Sequence, residues 1–255
     1  MTVVDEMERA LGAMSPVELE AMKAVRLMNR MDRKYMAAAE LLPELLGRIA
    51  ADYHVQRIGG EALADYHTLY FDTAGLEMYT QHHNQKLTRQ KVRVRCYRSS
   101  MTTFFEIKNK DNKKKTRKIR VPLAAELFDT PFADAEALRF VRENTPYGAG
   151  GLLEQVENWF RRITLVDKGF NERVTIDTGI RFHNRHTGGD CALPRLAIVE
   201  VKHETGAPPS PIELALREMR IHAARVSKYC IGTVLTNGDA KANRFKEKIR
   251  YIENL

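Results

Sequence analysis

Lys91-Val92-Arg93-Val94-Arg95-Cys96-Tyr97 alternates strictly between cationic or aromatic residues and apolar residues. This period of two predicts a β-strand with one polar and one apolar face. Phe104-Phe105-Glu106-Ile107-Lys108-Asn109-Lys110 and Lys118-Ile119-Arg120-Val121 repeat the pattern. An ordinary half-exposed sheet also alternates, its polar face being solvated. These polar faces, however, are almost entirely cationic, and neighbouring cationic faces repel one another unless an anion lies between them. The three runs therefore predict a site for a polyanion.

The composition predicts a globular protein with an acidic partner. The chain has 255 residues, 44% of them hydrophobic, which is enough for a sizeable core. Its 41 lysines and arginines exceed its 33 acidic residues, which favours nucleic acid, phosphate-rich molecules or an anionic membrane as the partner. No apolar run approaches the roughly eighteen residues of a membrane span, so we expect no membrane segment. The three widely spaced cysteines favour a reducing cytoplasm.

The remaining sequence predicts strands separated by helices. Helical patterns and capping signals, among them Ser15-Pro16-Val17-Glu18, predict helices at 5–30, 40–52, 134–144, 151–161, 210–224 and 239–252. Further alternation predicts strands at 31–36, 67–72, 173–177, 180–182 and 198–202. His82 and His83 fall in a polar segment that we expect to be extended, where neighbouring side chains point to opposite sides, which argues against a metal pair. No internal repeat or linker occurs, so residues 1–255 are expected to form one domain.

The densest charge run connects two of the strands in the quoted region. It reads Lys110-Asp111-Asn112-Lys113-Lys114-Lys115-Thr116-Arg117-Lys118. We interpret Lys113 to Lys115 as a solvated hairpin loop. Such lysines would still guide an anion towards an opening in the sheet.

These elements predict an α+β protein built on a closed antiparallel sheet flanked by helices. If the apolar faces point outward beneath the helices, the cationic faces point into the lumen. The cations predicted to line the lumen are Lys34, Arg93, Arg95, Lys108, Lys118, Arg120, Arg173, Arg181 and Lys202.

Four acids share these cationic faces. For Asp32 and Asp177, a structural role in pairing with a neighbouring lysine explains the residue at least as well as metal binding. Glu106 and Glu200 are predicted to hold Mg²⁺ or Mn²⁺, because these ions bind one or two carboxylates together with substrate phosphate oxygens. A cationic clamp with a bridging metal is what phosphoryl transfer requires.

The ordered motifs resemble the polyphosphate polymerase domain of the vacuolar transporter chaperone (VTC) family, within the triphosphate tunnel metalloenzymes. The resemblance spans about residues 28–236 and rests on Asp32-Arg33-Lys34-Tyr35, His67-Thr68-Leu69-Tyr70-Phe71-Asp72-Thr73, the strand from Lys91, Phe105-Glu106-Ile107-Lys108-Asn109-Lys110, Val199-Glu200-Val201-Lys202 and Ser227-Lys228-Tyr229. It implies an eight-stranded tunnel around a phosphate chain.

The resemblance also implies roles for individual residues. Glu200 becomes the leading metal ligand and Glu106 the second. The catalytic phosphate ligands implied are Lys34, Arg93, Arg95, Lys108, Arg173, Lys202 and Lys228, and further substrate contacts are expected from Lys110, Lys118, Arg120, Lys168 and Arg181. Lys168 lies in Leu165-Val166-Asp167-Lys168-Gly169-Phe170, where the family usually has a tyrosine and an arginine. It would replace that arginine with poorer bidentate geometry.

Three functions are compatible with these residues. The leading hypothesis is a metal-dependent polymerase that moves the terminal phosphate of ATP to a polyphosphate chain. Hydrolysis of tripolyphosphate or a nucleoside triphosphate is the alternative within the same fold, and a polyphosphate-binding module without chemistry is the third. Nucleic acid is not expected, because Tyr35, Phe71 and Phe105 fall on apolar faces rather than among the cations. The oligomeric state does not follow from the sequence.

Overall fold

The computed structural model describes residues 2–18, 20–24, 30–113 and 115–255. The helices are α1 (Val3–Gly12), α2 (Leu42–Ile49), α3 (Glu77–His83), α4 (Ala135–Asn144), α5 (Pro211–Glu218), α6 (Lys228–Thr236) and α7 (Lys246–Glu253). The strands are β1 (Ser15–Val17), β2 (Arg30–Ala38), β3 (Tyr53–Gln56), β4 (Ala64–Asp72), β5 (Arg89–Tyr97), β6 (Thr102–Lys110), β7 (Thr116–Leu123), β8 (Leu153–Asp167), β9 (Glu172–Asn184), β10 (Asp190–Leu193) and β11 (Leu196–Glu204).

The fold centres on one sheet of 11 strands. Eight of them form an antiparallel path in the order β2-β11-β9-β8-β4-β5-β6-β7, and the short strands β1, β3 and β10 lie off this path. The predicted antiparallel α+β architecture is therefore confirmed. The predicted closed ring is not, because no hydrogen-bonded ladder joins β2 to β7 among the described residues.

The free edge of β2 is occupied by another part of the chain. Tyr35 forms an isolated bridge with Ala223, and the Ala224 amide donates to the Lys34 carbonyl oxygen at 2.7 Å. Ala223 and Ala224, in the connection between α5 and α6, thus occupy the middle of the edge at which a closing strand would pair. The edge strand β7 is exposed and rich in lysine and arginine, which discourages pairing.

Helices cover the outer face of the sheet, as the alternation predicted. Helices α1, α2 and α5 pack over one half, against residues such as Val174 and Val199. Helix α4 packs over the other half, against Val92, Val94 and Ile107. Because Val92, Val94, Ile107, Val174 and Val199 face outward, the charged residues next to them in sequence face the concave side.

Helix α6 lies against the concave side, where it packs on β8, β9 and β10. Tyr229, Cys230 and Ile231 pack there with Val156 and Phe182 of the strands. Gly232 permits this close approach, since an added Cβ would lie 2.5 Å from Cδ1 of Phe182. The apolar stretch from Ile231 to Leu235 is therefore an internal helix.

Several sequence predictions of local structure are wrong. The predicted helix at 5–30 ends at Gly12, and Ser15–Val17 is a strand, so Ser15 caps no helix; Leu19 and residues 25–29 lie outside the described residues. The predicted helix at 151–161 belongs to β8, whose ladders to β4 and β9 override its helical composition. His82 and His83 lie in α3 rather than an extended segment. The C-terminal helix begins at Lys246 rather than 239, and Lys114 of the charged loop is not described.

Candidate anion-binding site

Arg93 and Glu106 form a buried ion pair on the concave face. They lie opposite each other on β5 and β6. Arg93 Nε donates to Glu106 Oε2 at 2.9 Å, and Lys118 Nζ donates to Glu106 Oε1 at 3.2 Å. Burial opposes ionisation of Glu106, but Arg93, Arg95 and Lys118 outweigh it and hold the pKa of the carboxyl below its ordinary value. Both carboxylate oxygens are thus engaged by protein cations.

Arg95 is buried beside this pair without a carboxylate of its own. Its side chain donates from Nε to Thr68 Oγ1 at 3.1 Å, and within the described ranges no acidic oxygen lies within ion-pair distance of it. Burial and repulsion from Arg93 lower the pKa of Arg95, whereas Glu106 and Asp177 overcome burial and raise the pKa values of Arg93 and Arg162. A buried guanidinium that has no carboxylate at ion-pair distance favours binding of an anion.

Lys108 and Tyr70 experience the same positive potential. Repulsion from Arg93, then burial and repulsion from Arg95, hold the pKa of Lys108 well below its ordinary value. Tyr70 is buried, which would raise its pKa, yet Arg93, Arg95, Lys91 and Lys228 lower it. The field at this point is therefore positive enough to reverse the usual effect of burial on a phenol.

A second buried ion cluster joins β8, β9 and α6. Arg162 Nε donates to Asp177 Oδ1 at 2.5 Å and Arg162 Nη2 to Asp177 Oδ2 at 2.8 Å, a bidentate pair. Lys228, the first residue of α6, also contacts Asp177 Oδ2. Burial lowers the pKa of Lys228 to about 8 despite this carboxylate. Asp177 thus has the structural pairing role, with Lys228 and Arg162 as its partners.

The start of α6 adds hydrogen-bonding groups to the site. Lys91 Nζ donates to Ser227 Oγ at 3.0 Å, and Lys34 Nζ donates to the Val226 carbonyl oxygen at 3.4 Å. Ser227 is the N-cap of the helix and accepts from the Cys230 amide. The positive end of the helix dipole therefore points towards the same cations. Burial and repulsion from Lys34 lower the pKa of Lys91.

Glu200 is the accessible carboxylate of the site. Its side chain is 19% exposed, its Oε1 lies 3.6 Å from Lys34 Nζ, and its Oε2 contacts Lys202. Arg173 faces Lys202 across the β9–β11 ladder on the same side. Lys108 of β6 is repelled by Lys34 of β2 and attracted by Glu200 of β11. Strands β2 and β11 lie at the opposite end of the strand path from β6. The sheet therefore curls so that its two ends face each other across the cations.

Three predicted substrate contacts lie at the margin. Lys118 and Arg120 occupy the concave side of the exposed edge strand β7, and Arg120 stacks 4.0 Å from the centroid of Phe104. Lys110 lies at the end of β6 beyond Lys108. These three residues therefore border the buried cluster on the β6–β7 side.

Two other predicted contacts lie away from it. Arg181 is exposed over the Trp159 ring, on the outer face where Trp159 stacks with His67. The β8–β9 register shifts by one residue at a bulge between Trp159 and Arg161, where Gly179 has a φ of 59°. Beyond this bulge the apolar residues of β9 face the concave side and Arg181 faces outward. Lys168 is exposed in the turn after β8, so it does not replace a lumen arginine.

Two cations at the centre of the cluster are not among the ligands predicted from the sequence. Arg162 borders the segment predicted to be a helix, although the alternation of Ile163 and Leu165 around Thr164 marks the strand that places it opposite Asp177. Lys91 belongs to the predicted cationic face but not to the predicted ligands. Its position in step with Arg93 and Arg95 is the signal that identifies it.

The structure defines a class: a curled antiparallel sheet whose concave face carries a buried, cation-rich cluster. The chain belongs to the family described as the VTC domain, whose model matches residues 29–237. The resemblance drawn from the sequence motifs is thus confirmed. No curated protein matches the chain.

Solved structures to which the chain is similar come from several organisms. A conserved hypothetical protein from Pyrococcus furiosus is 9% identical, with a TM-score of 0.45 over 79% of this chain and 99% of that one. A putative adenylate cyclase from Vibrio parahaemolyticus is 12% identical, with a TM-score of 0.42 over 88% and 99%. A putative adenylyl cyclase from Hippeastrum, described as having a dominant triphosphatase activity, is 15% identical, with a TM-score of 0.48 over 81% and 96%.

In the described part of the chain, no helix combines the length and apolar character needed to cross a bilayer.

Cys96, Cys191 and Cys230 are all free thiols.

Proposed function

We propose that this protein is a polyphosphate polymerase that transfers the terminal phosphoryl group of ATP to a growing phosphate chain. The main support is the surplus of buried positive charge around Arg95 and Lys108. Among the described residues, neither side chain has a carboxylate within ion-pair distance. A string of phosphates supplies closely spaced negative charges and acceptor oxygens for such a surface. Membership of the VTC family supports the same substrate class.

The reaction needs positioned charge more than a covalent nucleophile. An oxygen of the acceptor chain forms a bond to the γ-phosphorus as the bond to the bridging β–γ oxygen breaks, and ADP leaves. The guanidinium of Arg95 and the ammonium groups of Lys108 and Lys228 would stabilise charge on the transferring group and its leaving oxygen. Burial of the cluster strengthens these interactions and limits competing water.

Mg²⁺ or Mn²⁺ is proposed as the cofactor, with Glu200 as its protein ligand. The residues fit a metal that is held mainly by substrate: the described residues contain no group of three His, Cys, Asp or Glu side chains arranged for a metal, while Glu200 is reachable and lies among phosphate-binding cations. The metal would supply charge neutralisation on bridging phosphate oxygens. Glu106, whose oxygens are engaged by Arg93 and Lys118, is not included in this proposal.

Incubation with ATP and Mn²⁺, followed by gel resolution of polyphosphate and assay of orthophosphate, tests the proposal. We expect a ladder of chains that Arg95→Ala and Glu200→Gln abolish while folding is retained. Arg195→Ala, which removes an exposed arginine paired with Glu40, is the matched control and should leave the ladder unchanged. Orthophosphate without chains would replace the polymerase by a hydrolase, and tripolyphosphate binding without either product would leave a binding module.

A further inference from the structure

Two arginines of the anion site share one aromatic platform. Tyr66 of β4 and Phe160 of β8 are opposite each other in the strand ladder, and their rings stack with centroids 5.0 Å apart and planes 20° apart. The guanidinium carbon of Arg95 lies 5.6 Å from the Tyr66 centroid and 5.7 Å from that of Phe160. The guanidinium of Arg162 lies 4.9 Å and 5.2 Å from the same centroids. Phe160 also carries Lys228 Nζ at 4.5 Å.

This arrangement places aromatic ring faces against cations that repel one another. Arg162 repels Arg95 and contributes to the lowered pKa of Arg95, and it also lowers the pKa of Lys228. The negative face of an aromatic ring attracts cations, and the attraction is stronger when the cations are desolvated. Tyr66 and Phe160 are 9% and 2% exposed, so their attraction acts in a water-poor setting.

The rings also leave the hydrogen-bonding edges of the guanidiniums available. Stacking occupies the faces of a guanidinium, while its N–H groups project from the edge. The edge of Arg162 is used by Asp177, whereas among the described residues the hydrogen bond of Arg95 runs from Nε to Thr68. The terminal nitrogens of Arg95 are therefore presented to a ligand.

We propose that Tyr66 and Phe160 are positioning residues that fix Arg95, Arg162 and Lys228 for binding of a phosphate chain. The inference rests on the proposed phosphate substrate but not on the polymerase reaction. It assigns to two rings of the concave face a role in affinity, in addition to core packing.

The test compares substitutions of matched size within one core cluster. Phe160→Leu should weaken tripolyphosphate binding, measured by calorimetry, on the order of tenfold, because three cations lose one ring face. Phe182→Leu is the control: Phe182 is equally buried in the same cluster and, among the described residues, no cation lies over its ring. It should lower the melting temperature to a similar extent and leave tripolyphosphate affinity within about twofold of wild type.

Conservative variants separate positioning from packing. Phe160→Tyr and Tyr66→Phe keep the aromatic ring and should bind tripolyphosphate as tightly as the wild type. Tyr66→Leu removes the ring and should weaken binding. Equal loss of affinity in Phe160→Leu and Phe182→Leu, or unchanged affinity in Phe160→Leu, would overturn the inference. Failure of the wild-type protein to bind tripolyphosphate would instead remove the proposed function on which the inference rests.

Discussion

Lys228 is the residue whose titration should be visible in ligand binding near neutral pH. Burial lowers its pKa to about 8, so it is charged below that pH and neutral above it. A bound phosphate chain favours the charged form. Tripolyphosphate binding should therefore weaken as the pH rises through 8 and be accompanied by proton uptake. Calorimetry in buffers of different ionisation enthalpy measures both.

Lys228→Arg provides the comparison for this pH dependence. An arginine keeps its charge throughout the same range, so the decrease in affinity around pH 8 should be reduced. An unchanged pH profile in Lys228→Arg would assign the titration to another group, with Lys108 as the next candidate.

The stability of a Glu106 variant shows whether this carboxylate serves as an internal ion-pair partner or as a metal ligand. Glu106→Gln leaves the buried Arg93 without its carboxylate and should lower the free energy of unfolding at pH 7 by about 3 kcal/mol. The folded-state pKa of Glu106 lies below the ordinary 4.5, so its contribution is complete above pH 4.5 and is lost as the pH falls further. The difference between wild type and variant should shrink correspondingly in urea titrations at acid pH. A variant of unchanged stability but reduced Mn²⁺ affinity would instead support the role of Glu106 as a metal ligand.

At the scale of elements, α6 is the helix on which the site depends. An alanine at Gly232 would place its Cβ 2.5 Å from Phe182 Cδ1 and 2.9 Å from Val156 Cγ1. Gly232→Ala should therefore destabilise the protein by about 1–3 kcal/mol through overpacking. It should also weaken tripolyphosphate binding, because the helix carries Lys228 and positions Ser227.

Gly47 is the matched control for this substitution. It also lies inside a helix, α2, but an added Cβ there meets no atom within 4 Å. Gly47→Ala should raise the free energy of unfolding by up to about 1 kcal/mol through helix propensity. Urea unfolding of both variants measures the contrast, and a Gly232→Ala variant as stable as Gly47→Ala would show that α6 can shift without cost.

The strands of the site could be predicted from sequence because their alternation is local. Val94 and Ile107 face outward, and side chains alternate along a strand, so Arg93, Arg95 and Lys108 face the concave side. The bulge at Trp159–Arg161 could not be predicted, since it is a property of pairing between β8 and β9, and it places Arg181 outside. The contact of Ala223 and Ala224 with the β2 edge could not be predicted either, because it joins residues that are distant in sequence.

At the scale of the whole molecule, the concentration of positive charge should make stability depend on anions. The chain carries a net charge of +8, and its concave face gathers buried cations whose mutual repulsion, together with burial, lowers the pKa values of Lys108 and Arg95. A ligand that binds only the folded state stabilises it by about 2.7 kcal/mol at one hundred times its Kd. Tripolyphosphate should therefore raise the melting temperature in a concentration-dependent way.

Ionic strength and charge density separate site binding from general screening. Salt screens exposed charges more than buried ones, so about 0.15 M NaCl should reduce the shift produced by tripolyphosphate without abolishing it. Orthophosphate, which spans fewer of the cations between Arg95 and Glu200, should produce a smaller shift at equal total charge. If both anions raised the melting temperature equally, or if Arg95→Ala left the tripolyphosphate shift intact, the stabilisation would come from the protein surface rather than the concave face. A shift that requires both a phosphate chain and Arg95 would locate the anion among the residues that lack a carboxylate partner.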